Sequence, residues 1–422
     1  MRIPKPSGAL WSHVDFLFLW SAQSVSAFGA RITRTCVPLA AVLTIHASPA
    51  SLGILAALSQ GPGLVVGLLA GGFVDRSRRL HILIASDLLR AAIVLTVPAA
   101  AWLHMLSMPQ LYLVAAIAGG LSVLFDIADH AYLPSLIGTA QLVEGNTKLN
   151  LTDSVAEIGG PALAGVLVQL LTAPIAIAAN AVTYVISALF LSRIRAQETP
   201  AEHEAGGTSW RRDLSTGAAA IFRNRFVLPL FLMDATAPLF GSFFATLYVP
   251  FAIRNLGLSP TMLGITIGVG GIGAMVGAAL ASPVSRLFGL GPAIVALSFG
   301  GALFTLLVPL APGSPNIATA MLMAAQFGGD ALMVVVIILA ASLRQTVLPN
   351  DILGRVAAVF KAAGGLCGVV GALAAGLIAS EIGVRETVLI AAIGYFLAPL
   401  IAVLSPLRRL KSLTDPGVTR AD

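Results

Sequence analysis

Gly71-Gly72-Phe73-Val74-Asp75-Arg76-Ser77-Arg78-Arg79 sets one acid and three arginines at the junction of two long apolar runs, 50–73 and 81–103. Each run has the ~20 residues a helix needs to cross the hydrocarbon core of a bilayer. The charged stretch between them is short, so it reads as a turn at the membrane surface. Working outward, the same alternation recurs along the chain. Further apolar runs lie near 14–45, 109–136, 151–171 and 174–192, then near 226–252, 260–284, 289–311, 316–343, 356–380 and 386–406. The pattern predicts an all-α integral membrane protein with twelve transmembrane helices in two six-helix bundles.

Composition agrees. Of 422 residues, 10% are charged and 57% hydrophobic, and the mean hydropathy is +0.92. Soluble domains carry about 25% charged residues, and no aqueous fold can cover so much apolar surface. A soluble enzyme, a disordered scaffold and a disulfide-stapled module are excluded. The net charge of +6 does not imply nucleic acid as a partner, because the basic residues sit in short loops between apolar runs. The two cysteines, Cys36 and Cys367, lie inside apolar runs and have no metal-ligand spacing. No Gly-x-x-x-x-Gly-Lys-Ser/Thr loop is present, so neither ATP nor another cofactor is expected. The run from Val14 lacks a small-residue cleavage site and reads as a retained first helix.

Loop charge orients the spans. Nineteen of the 25 basic residues, from Arg2 and Lys5 through the clusters at 76–79, 193–225 and 408–411, fall on one side. Only Arg254 and Arg385 fall on the other. This places both termini and the central linker in the cytoplasm, with the protein in the cytoplasmic membrane. The expected domains are an N-terminal bundle (1–192), a linker (193–225), a C-terminal bundle (226–409) and a tail (410–422).

The halves repeat each other. Phe28-Gly29-Ala30 returns as Phe240-Gly241-Ser242, and Leu52-Gly53-Ile54 as Leu263-Gly264-Ile265. Val74-Asp75-Arg76 returns as Val284-Ser285-Arg286, and Gly160 and Gly165 return as Gly371 and Gly376. Duplicated six-helix units are the architecture of transporters that rock two bundles around a central site. A membrane enzyme has no need of such symmetry.

The chain resembles the major facilitator superfamily. Gly71 to Arg79 is similar to its Gly-x-x-x-Asp-Arg-x-Gly-Arg-Arg loop, with Arg78 where many members have glycine. Gly160-Pro161 with Gly165 is similar to the helix 5 motif of its antiporters. Phe125-Asp126-Ile127-Ala128 through Leu136, with Asp87-Leu88-Leu89-Arg90-Ala91, resembles the drug:proton antiporter branch that includes macrolide and enterobactin exporters. The resemblance implies a gating loop of Gly71, Asp75, Arg76 and Arg79, with the start of helix 11 after Gly354-Arg355 as the partner of Asp75. For Gly160, Pro161 and Gly165 helix packing is the plainer reading.

Ionisable residues at membrane depth are costly and therefore candidates for function. Arg31 and Arg34 share a face of helix 1 at i and i+3. Either they bind substrate or they pair structurally with Asp126. Asp126, Asp234 and Asp330 lie on helices 4, 7 and 10. The resemblance places these, with helix 1, around a central cavity, so the three acids are the proton-coupling candidates. Asp330 leads because no basic residue neighbours it in sequence. Gln23 and Gln326 are candidate cavity hydrogen-bonders beside the arginines. Asp153 and Glu157 are expected nearer the cytoplasmic surface, and Asp87 and Arg90 beside the Asp75 loop.

The expected function is secondary active transport, with no enzyme activity: a proton-coupled efflux antiporter for a small amphipathic drug or antibiotic. Export of an anionic metabolite such as a siderophore is the alternative, which the arginines favour and the acids oppose. An uptake permease or a non-transporting receptor is more remote. The expected partners are a small-molecule substrate, protons and the lipid bilayer, and a monomer is expected.

Overall fold

The computed structural model describes residues 8–196 and 210–410. The side chains of Ala9, Asp75, Trp210 and Arg211 lie outside the described set. So do the linker stretch 197–209 and the tail from 411 onward. The described residues contain no strand, and eleven helices among them are long and apolar enough to cross a membrane. Helix α1 (Val14–Leu43), 30 residues long, is the twelfth and carries Asp15, Arg31 and Arg34.

By its contacts the chain divides into two units, Met1–His46 with Leu58–Glu204, and Ala47–Ala57 with Ala205–Asp422. After α1 come α2 (Pro49–Leu69), α3 (Arg79–Trp102), α4 (Met108–Ile137), α5 (Leu142–Leu170) and α6 (Ala173–Leu191). Then follow α7 (Val227–Pro250), α8 (Pro260–Phe288), α9 (Leu290–Leu310), α10 (Pro315–Val347) and α11 (Asn350–Ile382). Helix α12 has two arms, Val384–Gly394 and Leu397–Leu404, broken at Tyr395-Phe396. Proline opens α2, α8 and α10, where its fixed φ suits the first turn and no amide hydrogen bond is lost. Gly138 and Gly383 end α4 and α11 at φ 72° and 102°, a region that side chains with a Cβ avoid.

Each unit has the same internal plan. In the first, α1 packs on α5 and α6, and α3 packs on α4 and α6. In the second, α7 packs on α11 and α12, and α9 packs on α10 and α12. The repeated glycines perform repeated tasks. A Cβ on Gly160 of α5 would collide with the Cβ of Arg31 on α1, and one on Gly371 of α11 would collide with the Leu239 carbonyl of α7. Gly29 of α1 lies against Asn180 and Thr183 of α6, while Gly241 of α7 lies against the Tyr395 hydroxyl at the α12 break. Small residues at such crossings let backbones approach where lipid supplies no hydrophobic drive. Outward-facing Leu170, Leu287 and Leu404 are 75%, 77% and 84% exposed, a surface suited to hydrocarbon.

Gly160→Leu should therefore force α1 from α5, at a cost of about 1–3 kcal/mol or more. The expected result is a lower unfolding temperature in detergent by size-exclusion fluorescence, with Gly72→Leu as control, since nothing lies near a Cβ there.

Two elements differ from the sequence expectation. The linker helix Trp210–Arg223 packs on α11 of the second unit. Ile221 is fully buried there, and Arg355 Nε meets Asp213 Oδ1 at 2.9 Å. Arg355, near the start of α11, is thus held by the linker helix; the expected partnership of that helix start with Asp75 falls on a carboxylate outside the described set. Asp87 and Arg90 pair with each other at 2.5 Å, one turn apart inside α3.

Candidate functional site

In the first unit the charges at membrane depth converge on the crevice between α1 and α5. Arg31 Nε lies 2.5 Å from Glu157 Oε2, and Arg34 Nη2 lies 2.5 Å from Glu157 Oε1. One carboxylate therefore bridges two guanidiniums. Asp153, a turn earlier on α5, stands 3.9 Å from Arg31 Nη2. Both arginines reach the same acid because i and i+3 share a face of α1. Gly160 permits it by letting the Arg31 stem lie flat on α5. Exposure is graded: Arg31 is 26% and Glu157 38% exposed, whereas Arg34 and Asp153 reach 63% and 61%.

Of the two alternatives for the arginines, the structural one pairs them with Asp126; in the structure Glu157 is the acid they meet. The reason is the register of α5 against α1. Helix α5 begins at Leu142, about nine residues before the apolar run that marked span 5. Glu157, about four turns along it, falls on the face that Arg31 and Arg34 meet. Glu157 falls inside the expected span 5 and is expected near the cytoplasmic surface, so the sequence does not match it to the arginines of helix 1.

Asp126 and Asp129 lie on α4, with Asp126 exposed on the unit's surface. Gln23 of α1 donates through Nε2 to Asp129 Oδ1. Asp126 and Asp153 are both close enough for their charges to act on Asp129. Trp20 Nε1 donates to Thr152 Oγ1 at 2.9 Å, a further α1–α5 tie. Beside the crevice a shallow groove of about 550 Å³ runs between α1, α5 and α6, walled by Phe28, Ile32, Leu163 and Leu167.

In the second unit Asp330 and Gln326, one turn apart on α10, both abut Gly270 of α8. The Asp330 carboxylate fills the space a Cβ on Gly270 would take. The phenols of Tyr248 on α7 and Tyr395 at the α12 break lie within reach of its charge. The Tyr248 hydroxyl is buried without a hydrogen-bond partner among the described residues. Neither tyrosine was singled out by sequence; Gly394 just before the α12 break and Pro399 just after it are the signals that could have marked the turn presenting Tyr395. Asp234, on α7, is exposed and sits in the field of Arg344, whose guanidinium covers the Phe360 ring at 4.3 Å. Asp234 and Asp330 therefore occupy different surroundings within the unit.

Of the remaining candidates, Gly71 and Asp75 form a one-turn helix, and Arg76 is exposed. Arg79 opens α3 and donates through Nη1 to the Ala131 carbonyl at 3.2 Å. Gly160, Pro161 and Gly165 are buried in α5. Among the described residues no group of three His, Cys, Asp or Glu side chains could hold a metal ion.

Repeated six-helix units with ionised groups at membrane depth define a multi-pass membrane transporter. Residues 19–372 match the Major Facilitator Superfamily, and the chain belongs to that family. The chain is similar to a protein of Bacillus amyloliquefaciens named as a bacilysin exporter, BacE. The two are 31% identical over 310 residues, 72% of this chain and 74% of the relative. It is also similar to the multidrug efflux pump Tap of Mycolicibacterium fortuitum, 26% identical over 421 residues, 95% and 98% of the two chains. Among solved structures, the nucleoside transporter NupG superposes with a TM-score of 0.78 at 13% identity, over 92% of this chain and 99% of that one. At that identity the likeness speaks for fold alone. The protein is a transporter of small molecules and not an enzyme.

Proposed function

We propose that the chain is a proton-coupled exporter that exchanges a small amphipathic compound, of the drug or antibiotic kind, for protons across the cytoplasmic membrane. Its similarity to exporters, the BacE protein and Tap, supports the outward direction. The observation that carries the coupling is Asp330. A carboxylate wedged between α8 and α10 beside two phenols can pass between charged and neutral forms without repacking, since protonation changes no volume. Asp126 and Asp234 are secondary carriers in this reading. Gln23, Gln326, Arg31 and Arg34 are the substrate contacts. The loop of Gly71, Asp75, Arg76 and Arg79 gates, and Gly160, Pro161 and Gly165 pack α5. The loop-charge asymmetry supports cytoplasmic termini, with residues 1–192 and 226–409 as the two moving bundles of a monomer.

Export of a purely anionic metabolite draws support from Arg31 and Arg34. The Glu157 bridge weakens it, because the arginine pair is already half neutralised.

Expression in a bacterial host lacking its own efflux pumps tests the proposal. Accumulation of at least one amphipathic antibiotic should fall, and a protonophore should restore it. Accumulation unchanged across cationic, zwitterionic and anionic amphipaths would contradict export of this class.

A further inference from the structure

Four side chains in the α1–α5 crevice alternate in sign: Arg34, Glu157, Arg31, Asp153. The inner two, Glu157 and Arg31, are the less exposed and neutralise each other at 2.5 Å. The outer two, Arg34 and Asp153, are each more than 60% exposed. One end of the row therefore offers a guanidinium edge and the other a carboxylate. Such a row has a large dipole and little net charge at its centre. A lone cation pairs only at the Asp153 end and a lone anion only at the Arg34 end, each leaving the opposite end unanswered. A ligand carrying both charges answers both ends.

The apolar groove adjoins this row. Phe28 of its wall touches Gly159, and Arg31 of the row touches the next residue of α5, Gly160. The groove is shallow and open, about 550 Å³, and offers an apolar wall for one side of a ligand body.

We propose, resting on the exporter reading, that the transported compound is a zwitterionic amphipath. Its acidic group binds Arg34, its ammonium group binds Asp153, and its apolar body lies in the groove walled by Phe28, Ile32, Leu163 and Leu167. Glu157, bridging Arg31 and Arg34, acts as a positioning residue that holds the two outer charges apart.

The test uses the full chain in lipid nanodiscs with a fluorescent matched series: norfloxacin as the zwitterion, its ethyl ester as the cation and N-acetyl norfloxacin as the anion. Binding is read by fluorescence anisotropy. The zwitterion should bind about tenfold or more tightly than either partner, the scale of one charge-assisted contact. Arg34→Gln should erase its advantage over the ester, and Asp153→Asn its advantage over the N-acetyl form. Both positions are exposed, so the variants keep the fold. Leu163→Trp, which fills the groove, should weaken all three compounds alike. Binding of none of the three, an order unchanged in both charge variants, or affinities unchanged by Leu163→Trp would overturn the proposal. Binding that follows the charges without transport in proteoliposomes would uphold the site and remove the exporter reading instead.

Discussion

Asp330→Asn should abolish proton-driven transport and leave the protein folded. Asparagine keeps the shape that fills the gap at Gly270, so α8 and α10 stay in contact. It cannot take or give a proton near neutral pH. The phenols of Tyr248 and Tyr395 stay in place, so the local polarity survives while the titration is lost. Two assays separate these effects in reconstituted vesicles. Substrate uptake driven by an imposed pH gradient should fall to the level of empty liposomes. Counterflow, in which labelled substrate exchanges for unlabelled with no proton step, should persist. Gradient-driven uptake at the wild-type rate would remove Asp330 from the coupling mechanism, and loss of counterflow as well would mark it as a binding residue. Tyr248→Phe, which deletes only a hydroxyl, should slow transport and not abolish it.

The second large effect concerns stability. Asp87 is fully buried and Arg90 is 3% exposed; their ion pair at 2.5 Å is closed off inside the first unit. The Arg90 guanidinium lies between the rings of Phe125 and Tyr184, 4.4 and 4.5 Å from their centroids, and donates to Ser122 Oγ at 3.3 Å. Removing one partner of a buried pair strands the other charge where water cannot reach it, at a cost of about 3–5 kcal/mol. Replacing both by apolar residues of similar size removes the desolvation penalty along with the attraction. Asp87→Ala and Arg90→Ala should each sharply lower the yield and unfolding temperature of the purified protein. The double variant Asp87→Leu/Arg90→Met should recover most of both and should transport. A double variant as unstable as the singles would mean that Ser122 and the two rings, not the ion pair, hold these helices.

These two sites show where the sequence is informative. The spans declare themselves, because a bilayer requires long apolar runs and tolerates charge only between them. The repeat is equally plain, since Gly29 and Gly241, or Gly160 and Gly371, must sit at matching crossings for both units to close. Partner choice is less visible. Arg31 and Arg34 stand out as charges in an apolar run, and Glu157 in helix 5, yet that they meet depends on the packing register of α1 against α5. Asp87 and Arg90 were expected against the Asp75 loop; a spacing of i, i+3 on one helix lets them satisfy each other. Tyr248 and Tyr395 are aromatic residues in apolar helices, and only the fold brings them to Asp330.

The central claim is exchange of an amphipathic compound for protons, and proton movement reports it most directly. Inverted membrane vesicles with an acid interior, monitored with a pH-sensitive dye, would receive norfloxacin, its ester and its N-acetyl form in turn. The account predicts that norfloxacin discharges the gradient in vesicles holding the wild-type chain and not in those holding Asp330→Asn. Transport of norfloxacin with no discharge, or equal discharge from both vesicle types, would contradict it.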